Sequence, residues 1–458
     1  MHIRKFDRDF SRRHFLNTMG AGFAAGVLAP LWDVIAADGD ITKAYPEELL
    51  SLDLYTKGKV KAGDTLSADN VDHVKDLLDE ITYVQIKQQG RVVDLMPTTT
   101  DVWKLNPPTY LEATLKNQGQ AAFDEKGNII HKDGGPWIGG NPFPNAKDAN
   151  EILGAHNLSW GRYDTTLYCC NQDNMDADGN RQYEYNFFWC EVAGTGRIAL
   201  DPKPYFDEKV LRFQSAVWTY PADVKGTSIL NIWPYDQSQY PEFYGYLPAF
   251  KRVRRFPTNQ RFEPVIAGAT FFLTDAWMTG DPTLTWGNFK LIGRGPALCC
   301  VHDNWQGGRD PENWLYQRCG GKTGQKFYRT AMQLCPEVFV VELEPTGYPR
   351  APYSKKRIWY DARTMTPMVM NTFDRRGQVW KSWEGGFDTW EKEGNTFKSN
   401  LPHPVWSWTH VHSHDIQSDR ITIHQQVPRI TGGFQTGFNV ADAYNNFTTQ
   451  AAIRRLGT

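Results

Sequence analysis

The chain has 458 residues, with 50 Lys and Arg against 52 Asp and Glu, for a net charge of −2. So even a balance excludes the overall electrostatic pull by which basic chains hold nucleic acid or acidic lipid. The length suits one large domain or two ordinary ones. Aromatic residues reach 14 %, with 17 Trp, and such side chains serve β-cores and apolar cavities alike.

The N-terminus reads as a targeting segment. "SRRHFLNTMG" sets Arg12 and Arg13 before an apolar stretch, Phe15 to Ala29, that Gly20, Gly22 and Gly26 dilute. That stretch is too short and too weakly apolar to remain as a membrane span. Residues 1–36 are therefore expected to be a twin-arginine export signal, although Asn17 stands where lysine is common. Cleavage before Ala37 would leave residues 37–458 as a single periplasmic domain.

Beyond it, 38–66 looks like an irregular polar arm. "SADNVDHVKDLLDEITYVQIKQQG" predicts a helix from Val71, Val74, Leu77, Leu78 and Ile81, closed by Gly90. A loop-rich region follows, and "DANEILGAHNL" predicts a second, short helix. From about residue 160 the period falls to two. "RYDTTLYCCNQ" and "RQYEYNFFWCEV" read as strands joined by "DNMDADGN", a hairpin turn rather than a calcium loop because Tyr185 stands where the bidentate Glu belongs. In the last third "EVFVVELEP", "KKRIWYDAR", "TPMVMNTFD", "GQVWKSWEG", "PVWSWTHVHSH" and "RITIHQQV" predict an antiparallel meander. With helices set apart from strands, the class is α+β.

Seven cysteines, Cys169, Cys170, Cys190, Cys299, Cys300, Cys319 and Cys335, would favour disulfides in an oxidising compartment, with one thiol left over. One bridge between the 169–190 and 299–335 regions is expected, with its partners open. The common catalytic signatures G-x-S-x-G, G-x-x-x-x-G-K-[ST] and H-E-x-x-H are missing from the sequence.

The motifs "GGNPFPNAKDANEI", "LPAFKRVRRFPTN", "TDAWMTGDPTLTWGNFKLIGR" and the long run from "FVVELEP" to "WKSWEG" come in one order. In that order the chain resembles the proteobacterial periplasmic domain-of-unknown-function family 1329, which is outer-membrane lipoprotein-sorting-like. The resemblance spans roughly residues 135–435. It implies a large curved antiparallel β-sheet, a half-barrel wrapped over helices as in lipoprotein carriers, whose concave face could hold a hydrophobic ligand. It also implies an outer-membrane protein or envelope transporter as partner, and it supplies no catalytic residue.

The expected function is a periplasmic carrier or chaperone for a lipid, lipoprotein acyl chain, steroid or similar molecule. The alternatives are a structural accessory of an outer-membrane or transporter complex, and a metal-dependent enzyme. Trp359, Trp380, Trp406 and Trp408 are the pocket candidates; Trp383 alternates away from Trp380. His410, His412 and His414 alternate in "THVHSHD" and so share one strand face. They are candidate ligands for a transition metal, completed by His403, His424 or Asp415; no other cofactor is expected. Arg252, Arg254 and Arg255 form a basic cluster that could contact a lipid headgroup or an acidic partner. Changing Arg12 and Arg13 together to Lys should block export, because the receptor reads both guanidinium groups. Fractionation of cells expressing that variant checks this, and normal periplasmic accumulation would exclude the route.

Overall fold

The computed structural model describes residues 30–458 except 160, 206, 258–260, 277, 279–281, 302–310 and 393–394. Most of the expected signal, residues 1–29, lies outside the described residues. Its end, Leu31–Ala37, is a short helix (α1). The helix buries Trp32, Val34 and Ile35 against Ile41, Leu49 and Leu111. The expected polar arm also docks. It forms short helical turns, among them α2 (Leu52–Thr56), and it buries Tyr45, Leu49, Leu52 and Val60.

Sixteen strands make one sheet. In chain order they are β1 (Thr65–Leu66), β2 (Val93–Met96), β3 (Thr165–Met175), β4 (Arg181–Ala193), β5 (Val210–Tyr220), β6 (Ser228–Pro234), β7 (Glu242–Leu247) and β8 (Arg252–Arg255). Then come β9 (Gly287–Cys299), β10 (Thr330–Glu344), β11 (Tyr353–Asp361), β12 (Thr366–Asp374), β13 (Val379–Thr389), β14 (Trp406–Asp415), β15 (Arg420–Val427) and β16 (Gly437–Phe438). The spatial order is β1-β2-β10-β11-β12-β13-β14-β15-β3-β4-β5-β6-β7-β8, with β9 beside β10 and β16 beside β3. The sheet is curved and does not close. The pair β2–β10 is parallel, because β2 arrives from the N-terminal region and not through a hairpin. The strands expected at 162–172 and 181–192, and those of the last third, all overlap observed ones, overrunning them by up to three residues at an end.

The helix expected from about residue 71 is broken. Val71–Leu77 is a 3-10 turn and α3 spans Glu80–Gln88. Asp79 explains the break, since its carboxylate accepts from the N–H groups of Ile81 and Thr82 and so starts a new helix. After α4 (Pro108–Asn117) comes α5 (Ala149–Leu158), started in the same way by Asp148. It lies across one face of the sheet. His156 rests against the ring of Tyr360 on β11, and Asn157 accepts from Arg212 on β5. Ile152 and Leu153 join the main core there. The other face is covered near β3–β5 by α6 (Ala443–Phe447) and α7 (Gln450–Leu456). The DNMDADGN segment is the β3–β4 turn: Asp176 accepts from the N–H of Asp178 and Asn180, and Gly179 takes a φ of 82° that favours glycine.

All seven cysteines are buried thiols, so the expected bridge is not formed. Cys169 and Cys190 belong to one apolar cluster and Cys299 and Cys335 to another, while Cys170 and Cys319 are both in the main core. Burial pushes the thiols of Cys170 and Cys190 up in pKa, and a thiol that stays protonated is a poor nucleophile for exchange.

The core also holds charge. Arg91 grips Glu384 on β13 with both terminal nitrogens, Nη1 at 2.9 Å. Gln85 accepts from the same guanidinium at 2.7 Å. His412 on β14 lies 3.2 Å from Glu384 through Nδ1 and accepts from the N–H of Tyr328 through Nε2 at 3.0 Å. One donor and one acceptor nitrogen make it a neutral imidazole. Burial alone would raise the pKa of Glu384, but Arg91, His410 and His412 more than offset it and hold the carboxylate well below its usual range. Burial pushes His412 and His424 down to about 3 and also lowers His414.

These histidines stay neutral in the folded protein while the unfolded chain protonates them near pH 6.5, so the unfolded state binds more protons between pH 6.5 and 3. Stability is therefore greatest above pH 6.5 and falls on acidification. The expected loss is about 1.4 kcal/mol per pH unit for each of His412 and His424. Urea unfolding at pH 7.5 and pH 5 measures it, and His424→Phe should flatten the slope by one proton.

Candidate functional site

Trp383 and Gly385 of β13 face away from Glu384, as strand alternation requires. They join Tyr168, Cys170 and Gln172 of β3, Phe187 and Trp189 of β4, Ala216 and Trp218 of β5, and His424 of β15 around a cavity of about 90 Å³. Trp408, Val411 and Phe387 complete the wall, and Val265, Phe271, Ala276 and Met278 lie over it. That covering segment is pinned to the sheet through Thr270, whose hydroxyl donates to the carbonyl of Ser413 at 2.7 Å and whose N–H donates to Thr422 at 2.9 Å. The His424 ring lies among Phe187, Phe271 and Trp383, with centroids 5.0 to 6.0 Å away.

A bulge makes this arrangement possible. Gly385 pairs with Val411 while Phe387 pairs with Trp408, so β14 spends one residue more than β13 on the same step. Trp408 and Val411, three apart, therefore both reach the cavity, while His410 turns to the opposite face. A side chain at 386 would run into the His410 ring, which explains the second glycine of "EGGF". Beside the main cavity is a smaller one of about 30 Å³, which shares Tyr168, Pro367, Phe387 and Trp408 with it.

Of the residues expected to line a pocket, Trp408 does, and so does Trp383, which alternation had set apart from Trp380. Trp406 borders the smaller cavity and stacks on Phe387 with ring centroids 5.4 Å apart. Trp359 is placed elsewhere, packed with Leu105, Val340 and Met368. Trp380 is also elsewhere. Its indole N–H donates to Asp415, and its ring packs on Tyr353 and Phe272. The aromatic wall from β3 to β5 had a signal in the sequence: Phe187 and Trp189, and Ala216 and Trp218, each sit two apart on one face. Phe271 and Met278 come from irregular backbone, where no periodicity marks a direction.

The three histidines share the face opposite the cavity, but they do not converge. His410 and His412 have ring centroids 5.1 Å apart, and both face Glu384. His414 uses both nitrogens on other partners, Gln85 at 3.1 Å and Asp419 at 2.9 Å. His424 lies across the sheet in the cavity wall, His403 bonds the carbonyl of Pro404, and Asp415 serves Trp380, Gln417 and Ser418. A different donor set is close together: one donor atom each from Cys300, Glu384 and His410 fall within 4.8 Å of one another. Glu384 could serve a metal there only by sharing oxygens already bound to Arg91.

Arg252, Arg254 and Arg255 stand exposed on β8, the outermost strand. Arg254 lies 4.1 Å over the ring of Phe250, and Arg255 is 3.9 Å from Glu242. They are three strands outward from β5 and do not line the cavity. Charged side chains on an edge strand also hinder pairing with another sheet.

No curated protein matches the sequence. Solved structures with a similar course are a domain from Vibrio parahaemolyticus described provisionally as an outer membrane lipoprotein-sorting protein domain, a DUF1329 family protein from Desulfovibrio piger, and a LolA superfamily protein from Nitrosomonas europaea. The Vibrio domain is 16 % identical with a TM-score of 0.41, over 67 % of this chain and 97 % of its own. The Desulfovibrio protein is 14 % identical at 0.43, over 66 % and 96 %. The Nitrosomonas protein is 13 % identical at 0.36, over 67 % and 100 %. The model of the family described as "Protein of unknown function (DUF1329)" matches residues 65–454, nearly the whole described chain, and the chain belongs to that family.

Proposed function

We propose that the protein is a periplasmic carrier that holds a hydrophobic molecule in the cavity between the sheet and its covering segment. The observation that carries the reading is the cavity itself, walled by Trp189, Trp218, Trp383, Trp408, Phe187 and Phe271. Aromatic walls provide large contact areas, and apart from Gln172, His424 and the indole N–H groups this wall offers few hydrogen-bonding groups to a polar substrate. Residence in the periplasm is supported by the Arg12-Arg13 pattern and the apolar stretch behind it. No described helix is long and apolar enough to cross a membrane. The exposed arginines of β8 would then be available to a membrane-bound or protein partner. A second reading, a transition-metal site, has the closeness of Cys300, Glu384 and His410 in its favour. Elemental analysis of tag-free protein decides it, and less than about a tenth of an equivalent of any transition metal would sink it.

Naphthalene tests the carrier reading, since at about 10–15 Å³ for each water-sized group the main cavity of about 90 Å³ and the adjoining one of about 30 Å³ together have room for its ten carbons. Saturable quenching of tryptophan fluorescence is expected. Filling the cavity with Ala216→Phe or Val411→Phe should weaken binding at least 10-fold while the circular dichroism spectrum is kept. Equal affinity in both filled variants would show that naphthalene binds elsewhere and overturn the reading.

A further inference from the structure

The smaller cavity has a cation at its end. Arg162 lines it, together with His156, Ser159, Thr366 and Trp406. The side chain is nearly lost to solvent, with Arg162 only 7 % exposed. Nη2 donates to the carbonyl of Thr364 and to the hydroxyl of Thr366, the latter at 2.8 Å. The guanidinium also lies 4.4 Å over the ring of Tyr110 and 5.2 Å over that of Trp406. Nη1, in contrast, is buried with no hydrogen-bond partner. Among the described residues no carboxylate pairs with Arg162. The acid nearest in sequence, Asp164, is committed to the backbone N–H groups of Ile198, Ala199 and Leu200. Three other buried cations of the core do have a carboxylate: Arg91 with Glu384, Arg363 with Asp361, Lys356 with Asp275. A buried cation without a counter-ion is costly, and its open N–H is set where a cavity adjoins the apolar one.

We infer that Arg162 receives the carboxylate of the ligand, and that the ligand is a medium-chain monocarboxylic acid whose apolar chain fills the main cavity. This rests on the carrier reading and names its ligand class. Size points the same way. At roughly 10–15 Å³ for each water-sized group, the 30 Å³ cavity takes two or three groups, as many as a carboxylate has heavy atoms. The 90 Å³ cavity takes about six to nine, an alkyl chain of that length. The cation–π contacts with Tyr110 and Trp406 hold the guanidinium in place before the ligand arrives, so little order is lost on binding. Charge-assisted N–H···O bonds then replace the missing partner of Nη1.

The test compares octanoate with 1-octanol by calorimetric titration, on the wild-type chain, Arg162→Met and Arg162→Lys. Wild-type protein should bind octanoate at least 10-fold more tightly than 1-octanol. Arg162→Met should lose that preference, with octanoate weakened at least 10-fold and 1-octanol within about threefold of wild type, and Arg162→Lys should recover part of it. Equal affinity of the wild type for acid and alcohol overturns the inference even if a variant fails to fold, and so does octanoate binding that Arg162→Met leaves unchanged. Naphthalene separates the two levels. If naphthalene binds and octanoate shows no preference, only the carboxylate assignment falls; if none of the three binds, the carrier reading falls and takes this assignment with it.

Discussion

Glu384 and Arg91 are 293 residues apart in the chain and meet where water does not reach. Around this pair the molecule gathers segments that share no hairpin: α3 through Gln85, β13 through Glu384, β14 through His410 and His412, and the strand start at Thr330. A carboxylate stripped of water is tolerable only if its partners are all present, and removing one partner of such a pair costs about 3–5 kcal/mol. The pair therefore does more to fix which elements come together than to add net stability. Every covering segment on that face must arrive in one register, or a charge is stranded.

The same strands carry a different chemistry on their other side. Trp383 and Glu384 are neighbours in sequence, yet one faces an apolar cavity and the other an ion pair. Alternation does this over most of β13. The bulge at Gly386 does it on β14, where strict alternation would put Trp408 and His410 on one face. The backbone between Trp408 and Val411 thus separates two solvents, one of aromatic rings and one of paired charges. Arg162 brings a cation to the aromatic side, held by ring faces and by Thr364 and Thr366.

Much of the sheet could be read in the sequence because many of its strands alternate apolar and polar residues over part of their length, as Arg420–His424 does with Ile421 and Ile423. Helix α5 was legible from Asp148 and the spacing of Ile152 and Leu153. The break at Asp79 was not, since the apolar residues on both sides keep helical spacing and only the carboxylate's choice of Ile81 and Thr82 divides them. The site was harder. Trp359, Trp380 and Trp408 look alike in sequence, and what separates them is which face each strand shows and what lies above it. That depends on pairings across the whole chain. Arg162 gave no signal at all, because nothing local marks an arginine that will lack a carboxylate.

The centre of the sheet joins β3 to β15, with Gln172 opposite His424. On the ribosome these strands are made far apart in time. At roughly 5–20 residues per second, β3 emerges some tens of seconds before its partner exists. Through that interval Leu167 and Cys169 on one side, and Tyr168 and Cys170 on the other, are exposed apolar surface bordered by an open edge. A newly made chain is thus most exposed to aggregation in its middle third, and protection by a chaperone matters most there. The wait ends when residue 427 leaves the exit tunnel and the last long strand can close the row.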